Sequence, residues 1–568
     1  MKYLKRNFRV YTVFSFFFFI FLCILFKITY LQVFAKEFFK SLADSQYVTV
    51  ISFEGDRGII YDRAGRILAK SINTYSVYAD PELINDKNKV TEYLSEILEV
   101  DKDILKKKLS LPRRFVWIKR KIPWKDKEKL ANLDLEGVGF IREKKRFYTQ
   151  NTIGSHILGG VNIDNRGIEG LEFFYDSYLR GKQGGVSILR DSSASKLVFS
   201  PQTFHPQPGA SISLTIDAQI QYWVETFLKE TIEKFSAKAG SVVIIDSFTG
   251  EVLALANYPV FDPNRMGEFP FDLRRNRAIT DMFEPGSVFK IVTLMAAIAK
   301  KEFSDKDIIF CENGRYKIPG TILHDWKPYG LLSFREVFKK SSNIGVAKIS
   351  NKLGEDSFYQ YIKKLGFGNK TNIDLPGEIR GSLKPLSEWS STSHYIIPIG
   401  QEIGVNLVQL ACAMAVIANG GNLVRPYLMK KIWRDGFLLE AEVVKKRVLP
   451  LWASKKAKSI LLEVVEEGTG KRARIENAKV GGKTGTAQKF DLKSHRYSPT
   501  KYRASFIGFV ERGEISFVIA VSVDEPSKSH FGGVVAAPLF KKIGEESLRY
   551  LEYKNILTKN ALEGSGPS

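Results

Sequence analysis

The chain has 568 residues, 44% hydrophobic and 26% charged, which is long enough for two or three domains with apolar cores. Its three cysteines and six histidines show neither disulfide-framework nor metal-ligand spacing, which argues against both kinds of site. The net charge of +23 is spread along the chain without a nucleic-acid-binding module, so it fits an anionic membrane or cell-wall surface, or simply a lysine-rich proteome.

An apolar segment near the N-terminus predicts a membrane anchor. Residues 10–34 are almost wholly apolar apart from Lys27, and they reach the roughly 20 residues that span a bilayer. Four cations lie within residues 1–9, and the positive-inside rule then predicts a cytoplasmic N-terminal tail and an exported remainder. No small-residue cleavage site follows, so we expect an uncleaved anchor.

The exported part divides where Pro206–Gly209 interrupts the pattern. Residues 35–205 mix charged helical stretches with short strands and contain no catalytic motif. In residues 206–550, strand patterns stand at both ends, including two predicted hairpins, and helical patterns fill the middle. This order predicts an α+β domain whose antiparallel sheet combines distant parts of the chain, followed by a flexible tail at 551–568.

The first candidate catalytic motif is Ser287–Lys290, which follows Pro285–Gly286 and opens an apolar helical pattern. A serine hydroxyl becomes a good nucleophile when a base removes its proton. Lys290 lies one helical turn beyond Ser287 and can be that base if burial or a second cation keeps its amine neutral. The helix start can also offer a backbone N–H to an oxyanion. A second SxxK copy, Ser193–Lys196, lies in a polar stretch, so the spacing alone is weak evidence.

Two further motifs follow in a fixed order. Ser341–Asn343 begins 54 residues after Ser287 and offers a hydroxyl for proton transfer and an amide for hydrogen bonding, although Ser71–Asn73 has the same pattern. The last motif begins 196 residues after Ser287, has no second match, and is predicted to lie on a strand. It provides a second cation, two hydroxyls that can bind a carboxylate, and a glycine that lets a substrate approach closely. Its residues are Lys483, Thr484, Gly485 and Thr486.

These motifs and their surroundings resemble the class B penicillin-binding proteins, which are monofunctional transpeptidases of high molecular weight. The resemblance extends over nearly the whole chain and includes a juxtamembrane segment, a pedestal segment and the residues around the motifs. The matching stretches are Arg57–Ala69, Gly167–Glu172, Leu179–Gly181, Asn276–Ala278, Phe283–Ser287, Gly468–Gly470 and Gly532–Gly533.

The resemblance implies an α+β fold with one transmembrane helix, an elongated pedestal of the dimerisation type, and a transpeptidase domain with a five-stranded antiparallel sheet flanked by helices. It also implies a D-Ala-D-Ala stem peptide as donor, a serine acyl-enzyme, release of D-Ala, and no cofactor or metal. β-Lactams would acylate the same serine. The implied catalytic residues are Ser287, Lys290, Ser341, Asn343 and Lys483, and the implied substrate-binding residues are Thr484, Gly485 and Thr486.

Val77–Pro81 and the short stretch after residue 550 look more like the division (septal, FtsI-like) subgroup than the elongation subgroup. The implied partners are peptidoglycan stem peptides, glycan made from lipid-linked precursors, a polytopic glycosyltransferase of the SEDS type (FtsW-like) and other division proteins, at the bacterial inner membrane. Asn406 and Leu407 depart from the family's Thr-Pro, which leaves the start of the following helix open, and Val288 replaces a common threonine.

Several alternatives stay open at this level. An elongation-type transpeptidase carries the same motifs, and a hydrolase or carboxypeptidase of the same fold would differ in the lifetime of its acyl-enzyme. Three intact motifs argue against a non-catalytic scaffold or antibiotic sensor, and export argues against a nucleic-acid binder. For residues 35–205 we expect both a spacer role and a contact surface for partner proteins.

Overall fold

The computed structural model describes residues 2–39, 48–53, 55–190, 197–491 and 496–563. The chain forms two compact units, residues 1–56 with 181–208, and residues 57–180 with 209–568. The second SxxK copy at 193–196 and the end of the predicted tail at 564–568 lie outside the described residues.

The smaller unit contains the N-terminal helix and a three-stranded antiparallel sheet. The helix Lys2–Thr29 continues as a π-helical turn, Tyr30–Phe34. The stretch Val10–Phe34 has a mean hydropathy of 2.3 and none of it is buried, so it fits a single-pass membrane anchor. The sheet strands are Val48–Phe53, Gly184–Arg190 and Leu197–Phe204.

In the larger unit, residues 57–180 form a lobe around one long strand pair. Ile67–Ala79 pairs antiparallel with Val138–Tyr148 on one side and with Val116–Ile122 on the other. Three amphipathic helices bury leucines against this sheet, and Asp86 and Asp101 cap the first two of them. The helices are Lys87–Leu98, Lys102–Leu109 and Trp124–Ala131.

A buried ion cluster joins the segments of this lobe. The fully buried Glu172 carboxylate accepts hydrogen bonds from Arg57 at 2.5 Å and from Arg146 at 2.6 Å, and both guanidiniums are also buried. The two arginines hold the pKa of Glu172 below its usual range despite burial. The cluster connects Arg57–Ala69 with the segment around Glu172, two of the stretches that carry the family resemblance.

The sheet of this lobe continues across the boundary that the sequence placed at residue 206. Seven strands take part, with Ile60–Tyr61 running parallel to Ser211–Leu214 and the other pairs antiparallel. The strand order from one edge is Phe437–Glu440, Met429–Arg434, Ser211–Leu214, Ile60–Tyr61, Ile67–Ala79 and Val116–Ile122, with Val138–Tyr148 as a second partner of Ile67–Ala79.

The catalytic region is built on a five-stranded antiparallel sheet, which confirms the predicted fold class. The sheet combines the two predicted hairpins with a fifth strand, which carries Lys483. Successive residues such as Val242 and Val243 point to opposite faces of the sheet and belong to two separate hydrophobic cores, so both faces are buried. The order is Val252–Tyr258, Ala239–Asp246, Ile515–Asp524, Arg496–Arg512 and Lys479–Asp491.

Two helices cover each face of this sheet. Ala218–Phe235 and Gly532–Glu563 pack on one face, and Leu407–Ala418 and Leu451–Glu466 pack on the other. Asn406, one of the departures from the family pattern, begins its helix with a capping box: its side chain accepts the N–H of Gln409 at 2.8 Å, and Gln409 accepts the N–H of Asn406 at 2.9 Å.

The last helix is longer than the sequence suggested. Gly532–Glu563 runs past residue 551, where the flexible tail was predicted to begin. Lys554 donates to the buried carboxylate of Asp217 at 2.8 Å, and Tyr550 packs edge-on against Trp223. These contacts with the helix that follows Asp217 extend the ordered structure beyond that boundary.

The remaining helices and strands lie in residues 155–179 and 263–473 of the larger unit. The other α-helices are Ser155–Leu158, Gly170–Phe174, Asp176–Leu179, Phe271–Arg274, Arg277–Thr280, Lys290–Ala299, Phe334–Lys339, Asn343–Leu353, Glu355–Lys364 and Ser393–Ile396. The short strands are Gly160–Val161, Gly167–Glu169, Ile308–Phe310, Arg315–Ile318, Thr321–His324, Leu331–Ser333, Asn422–Val424 and Lys445–Arg447. The 3₁₀ helices are Pro263–Glu268, Gly286–Phe289, Glu312–Gly314, Leu386–Glu388, Ile397–Ile399 and Lys471–Ala473.

Candidate active site

Ser287 lies on a 3₁₀ turn, Gly286–Phe289, which leads directly into the buried helix Lys290–Ala299. The turn is held by a close backbone approach, because the Gly286 N–H donates to the Gly400 carbonyl at 3.0 Å. Gly400 has φ +84°, and a Cβ there would lie 2.1 Å from the Gly286 oxygen. Only glycine fits this position, which fixes the turn that presents Ser287 to the cleft.

Lys290 is fully buried beneath the cleft, as the first residue of the α-helix. Its Nζ donates to the Ser341 carbonyl and to Asn343 Oδ1, both at 2.7 Å, and lies 3.3 Å from Ser341 Oγ. Burial lowers the pKa of Lys290 to about 7, against a smaller opposing effect of the Asp325 carboxylate. A large fraction of this amine is therefore neutral near neutral pH.

Lys483 reaches the same hydroxyl from the edge strand of the catalytic sheet. Its fully buried Nζ donates to Ser341 Oγ at 2.7 Å. Burial, and then the positive charge of Lys290, lower the pKa of Lys483 well below its ordinary value. Two buried amines on one hydroxyl disfavour a doubly charged state, which favours the neutral lysine that a base must be.

Ser341 and Asn343 are positioned by a turn that the sequence did not reveal. Ser341 has φ +60°, the left-handed region that serine rarely adopts, and Asn343 begins the helix Asn343–Leu353. Asp325 holds this turn by accepting the Ser342 hydroxyl at 2.6 Å and the backbone N–H of Asn343. The Asn343 amide donates to the His324 carbonyl at 2.8 Å.

The two threonines of the last motif face the cleft. Thr484 Oγ1 lies 3.0 Å from Thr469 Oγ1, and Thr486 Oγ1 accepts the N–H of Gly532 at 3.1 Å. A Cβ on Gly485 would lie 2.6 Å from Val288 Cγ2, so the glycine gives room to the turn that carries Ser287.

These side chains border a cleft of about 790 Å³. Ser287, Ser341, Asn343, Thr484 and Thr486 line it, whereas Lys290, Lys483 and Gly485 lie behind its surface. The structure therefore places all eight predicted residues in or directly behind one site, although 199 positions separate Ser287 from Thr486.

Several lining residues were not found from the sequence. Glu284, three positions before Ser287, accepts the Tyr497 hydroxyl at 3.1 Å and the Glu402 N–H at 2.8 Å, and burial raises its pKa. No local pattern marks Glu284 as a cleft residue except its place within the matched stretch before the serine. The others are Trp326, Ile399, Gln401, Lys471, Arg472, Ala487, Gln488, Tyr502, His530, Phe531 and Val534.

Comparison with known proteins gives matches over the same regions. A family described as "Penicillin binding protein transpeptidase domain" matches residues 240–545, and one described as "Penicillin-binding Protein dimerisation domain" matches residues 52–214. The probable peptidoglycan D,D-transpeptidase PenA of Neisseria gonorrhoeae is 34% identical over 94% of this chain and 91% of its own length.

Two further relatives and a solved structure agree with this assignment. Stage V sporulation protein D of Bacillus subtilis is 33% identical over 96% of this chain and 85% of its own length. The peptidoglycan D,D-transpeptidase FtsI of Escherichia coli is 29% identical over 95% of this chain and 93% of its own length. The crystal structure of penicillin-binding protein 3 from Mycobacterium tuberculosis with aztreonam has a TM-score of 0.69 at 27% identity, covering 89% of this chain and 98% of that one.

The transpeptidase family alone covers more than half of the chain, and the dimerisation family accounts for most of the region before it. The fold, the lysine–serine–lysine arrangement and the relatives agree with one another. The chain belongs to the class B penicillin-binding proteins and is a serine-type peptidoglycan D,D-transpeptidase.

Proposed function

We propose that this transpeptidase crosslinks stem peptides during septal cell-wall synthesis, through an acyl-enzyme on Ser287. The observation that carries the assignment is the pair of buried amines, Lys290 and Lys483, on either side of the Ser341 hydroxyl in the cleft that Ser287 lines. Loss of penicillin labelling in Ser287→Ala is the direct test.

Acylation begins when neutral Lys290 accepts the Ser287 proton and Ser287 Oγ attacks the carbonyl carbon of the penultimate D-Ala. The backbone N–H groups of Ser287 and Thr486 stabilise the tetrahedral oxyanion. As the C–N bond breaks, the proton that Lys290 took from Ser287 passes through the Ser341 hydroxyl, to which Lys483 also donates, and reaches the nitrogen of the departing D-Ala. The products are free D-Ala and an ester on Ser287.

Deacylation repeats these steps with a different nucleophile. An amine of a neighbouring stem peptide attacks the ester carbonyl and loses a proton to the same lysine–serine relay. The relay returns that proton to Ser287 Oγ as the ester breaks. One amide bond replaces another, so the reaction consumes no oxidant, reductant or phosphoryl donor. Asn343 orients the donor peptide, and Thr484 and Thr486 hold its terminal carboxylate, while Gly485 keeps their strand close to the serine turn.

The chain is assigned to the bacterial inner membrane with a cytoplasmic N-terminus and an extracytoplasmic catalytic domain. The apolar helix supports a single crossing, and the cations at residues 2–9 support this orientation. Residues 35–205 then form the pedestal, and residues 206–550 form the transpeptidase domain.

The septal role rests on the Val77–Pro81 segment and on the similarity to FtsI of Escherichia coli. Depletion of the protein should give long filaments whose constrictions fail, because septal crosslinking stops while side-wall synthesis continues. Microscopy of depleted cells with a fluorescent D-amino acid label tests this expectation. Rounded or bulging cells with normal septa would instead indicate the elongation subgroup.

The pedestal is also assigned as the contact surface for a polytopic SEDS-type (FtsW-like) glycosyltransferase and other division proteins. Lys106 and Lys107 on the helix Lys102–Leu109, together with Lys125, are exposed and form no ion pair among the described residues. Next to these lysines in sequence stand the exposed apolar side chains of Ile104 and Trp124, each more than half accessible. Cations beside apolar groups suit a protein partner with an acidic rim.

Charge reversal of this surface, Lys106→Glu with Lys107→Glu and Lys125→Glu, should lower glycan polymerisation by the co-purified glycosyltransferase several-fold. Penicillin acylation of Ser287 should stay at the wild-type rate, since the surface lies on another lobe. Lys455→Glu, an exposed lysine of the catalytic domain, is the matched control. Unchanged polymerisation in the triple variant would place the partner surface elsewhere.

A further inference from the structure

The active-site cleft is lined by two cations that the mechanism above does not use. Lys471 and Arg472 open the 3₁₀ helix Lys471–Ala473, and both side chains are exposed. Neither forms an ion pair within the part of the chain that the structure describes. Glu467 forms its ion pair with Lys339, whose Nζ lies 2.9 Å from Glu467 Oε2. The charge of Lys471 makes a smaller contribution to lowering the pKa of Glu467. The two cations therefore stay available to a ligand.

Their place in the chain puts these cations on the threonine side of the cleft. Thr469 precedes Lys471 by two residues, and its hydroxyl contacts that of Thr484 at 3.0 Å. Glu284 is the single carboxylate among the described residues that line the cleft. It accepts hydrogen bonds from Tyr497 and from the backbone of Glu402 and forms no ion pair with either cation. The cleft thus carries unpaired positive charge in the same lining as the hydroxyls assigned to the substrate carboxylate.

Exposed cations of this kind act more on encounter than on the bound state. A solvent-exposed ion pair contributes about 0–1 kcal/mol to stability, because water and salt screen it and because long side chains lose entropy on pairing. The same charges at the mouth of a cleft raise the local concentration of an oppositely charged ligand and the rate of productive encounter, in a salt-dependent way.

We propose that Lys471 and Arg472 form a cationic rim that selects donors by their terminal carboxylate and guides that group toward Thr484 and Thr486. The inference rests on the proposed Ser287 acyl-enzyme and goes beyond it by naming two specificity-determining residues. The rim takes the carboxylate of a peptide ending in D-Ala-D-Ala and the ring carboxylate of a penicillin as equivalent ligands.

The test compares the double variant Lys471→Gln with Arg472→Gln against Arg474→Gln, which removes an exposed cation from the same segment outside the cleft. The probe is a fluorescent penicillin with one carboxylate, mixed with the full-length protein in a stopped-flow instrument. At an ionic strength of about 25 mM the double variant should acylate about tenfold more slowly in the second-order regime. The difference should shrink at about 1 M salt, where screening acts over about 3 Å.

The limiting first-order acylation rate at saturating penicillin should not change, because the rim contacts neither the serine nor its base. Arg474→Gln should match the wild type at every salt concentration. Equal second-order constants and equal salt dependence in the double variant and the wild type would overturn the rim. A lowered limiting rate would overturn it too, since the residues would then act on the chemistry. Absence of any acylation in the wild type would instead count against Ser287.

Discussion

Replacement of Ser287 by alanine should abolish covalent labelling of the purified protein by a fluorescent penicillin. The substitution removes the Ser287 oxygen that forms the ester. Alanine offers no nucleophile in its place on the turn that the hydrogen bond between Gly286 and Gly400 holds. Loss of a serine nucleophile costs at least about a thousandfold in related acyl transfers, which is below detection in a gel assay. In-gel fluorescence and intact-protein mass measure the label.

The chain supplies its own matched control for this experiment. Ser193→Ala alters the second SxxK copy and should leave labelling at the wild-type level. The rate at which label decays from the wild type separates the rival enzymes: slow decay favours a transpeptidase, and fast decay a hydrolase or carboxypeptidase. A folded wild-type protein that takes no label would instead be a scaffold, and labelling of Ser287→Ala would place the nucleophile elsewhere.

Replacement of Lys290 by methionine should lower the acylation rate constant by about a hundredfold to ten-thousandfold, the range expected for loss of a general base. Methionine fills most of the volume of the buried lysine and removes the amine of Lys290, while Lys483 stays in place. The fold should persist, which a thermal melt and circular dichroism can verify. An acylation rate within a few-fold of wild type would remove Lys290 from the role of base.

The pH dependence of the wild type gives an independent reading of the same group. A lysine base works only when deprotonated, and burial lowers the pKa of Lys290 to about 7. Acylation should therefore rise as pH increases through about 7 and level off above it; the midpoint belongs to the coupled Lys290–Lys483 pair. Stopped-flow acylation at saturating penicillin measures this limb.

Glu284 is the control for the pH experiment, because burial raises its pKa too. Glu284→Gln removes that titration while leaving both lysines in place, so the limb near pH 7 should remain. A limb that disappears in Glu284→Gln would mean that the carboxyl group, not the amine, controls the rate. A flat profile in the wild type would contradict a neutral-lysine mechanism.

The features that depend on local sequence could be predicted from the chain itself. A membrane anchor is a matter of length and composition, so residues 10–34 sufficed to predict it. The two hairpins follow from alternating apolar runs around short polar turns, and the structure confirms them as Ala239–Asp246 with Val252–Tyr258 and Arg496–Arg512 with Ile515–Asp524. The order of the three motifs likewise pointed to one family.

What the sequence could not provide were contacts between distant segments and the backbone conformations that those contacts impose. Asp325, which directly follows the hairpin of residues 315–324, accepts the backbone N–H of Asn343. Ser341 adopts a positive φ, which a serine in the sequence does not predict. Gly485 is needed because Val288 lies against it, across nearly two hundred positions of chain.

The domain limits show the same division between local and tertiary information. The break at Pro206–Gly209 is a genuine change of pattern, yet one sheet runs through it, since strand pairing depends on edges that meet in space. The final helix continues past residue 551, where Lys554 donates a hydrogen bond to the carboxylate of Asp217. Local periodicity and capping determined which segments are helices, strands and anchor, whereas packing alone brought two lysines to one hydroxyl, where burial shifts their pKa values and makes serine chemistry possible.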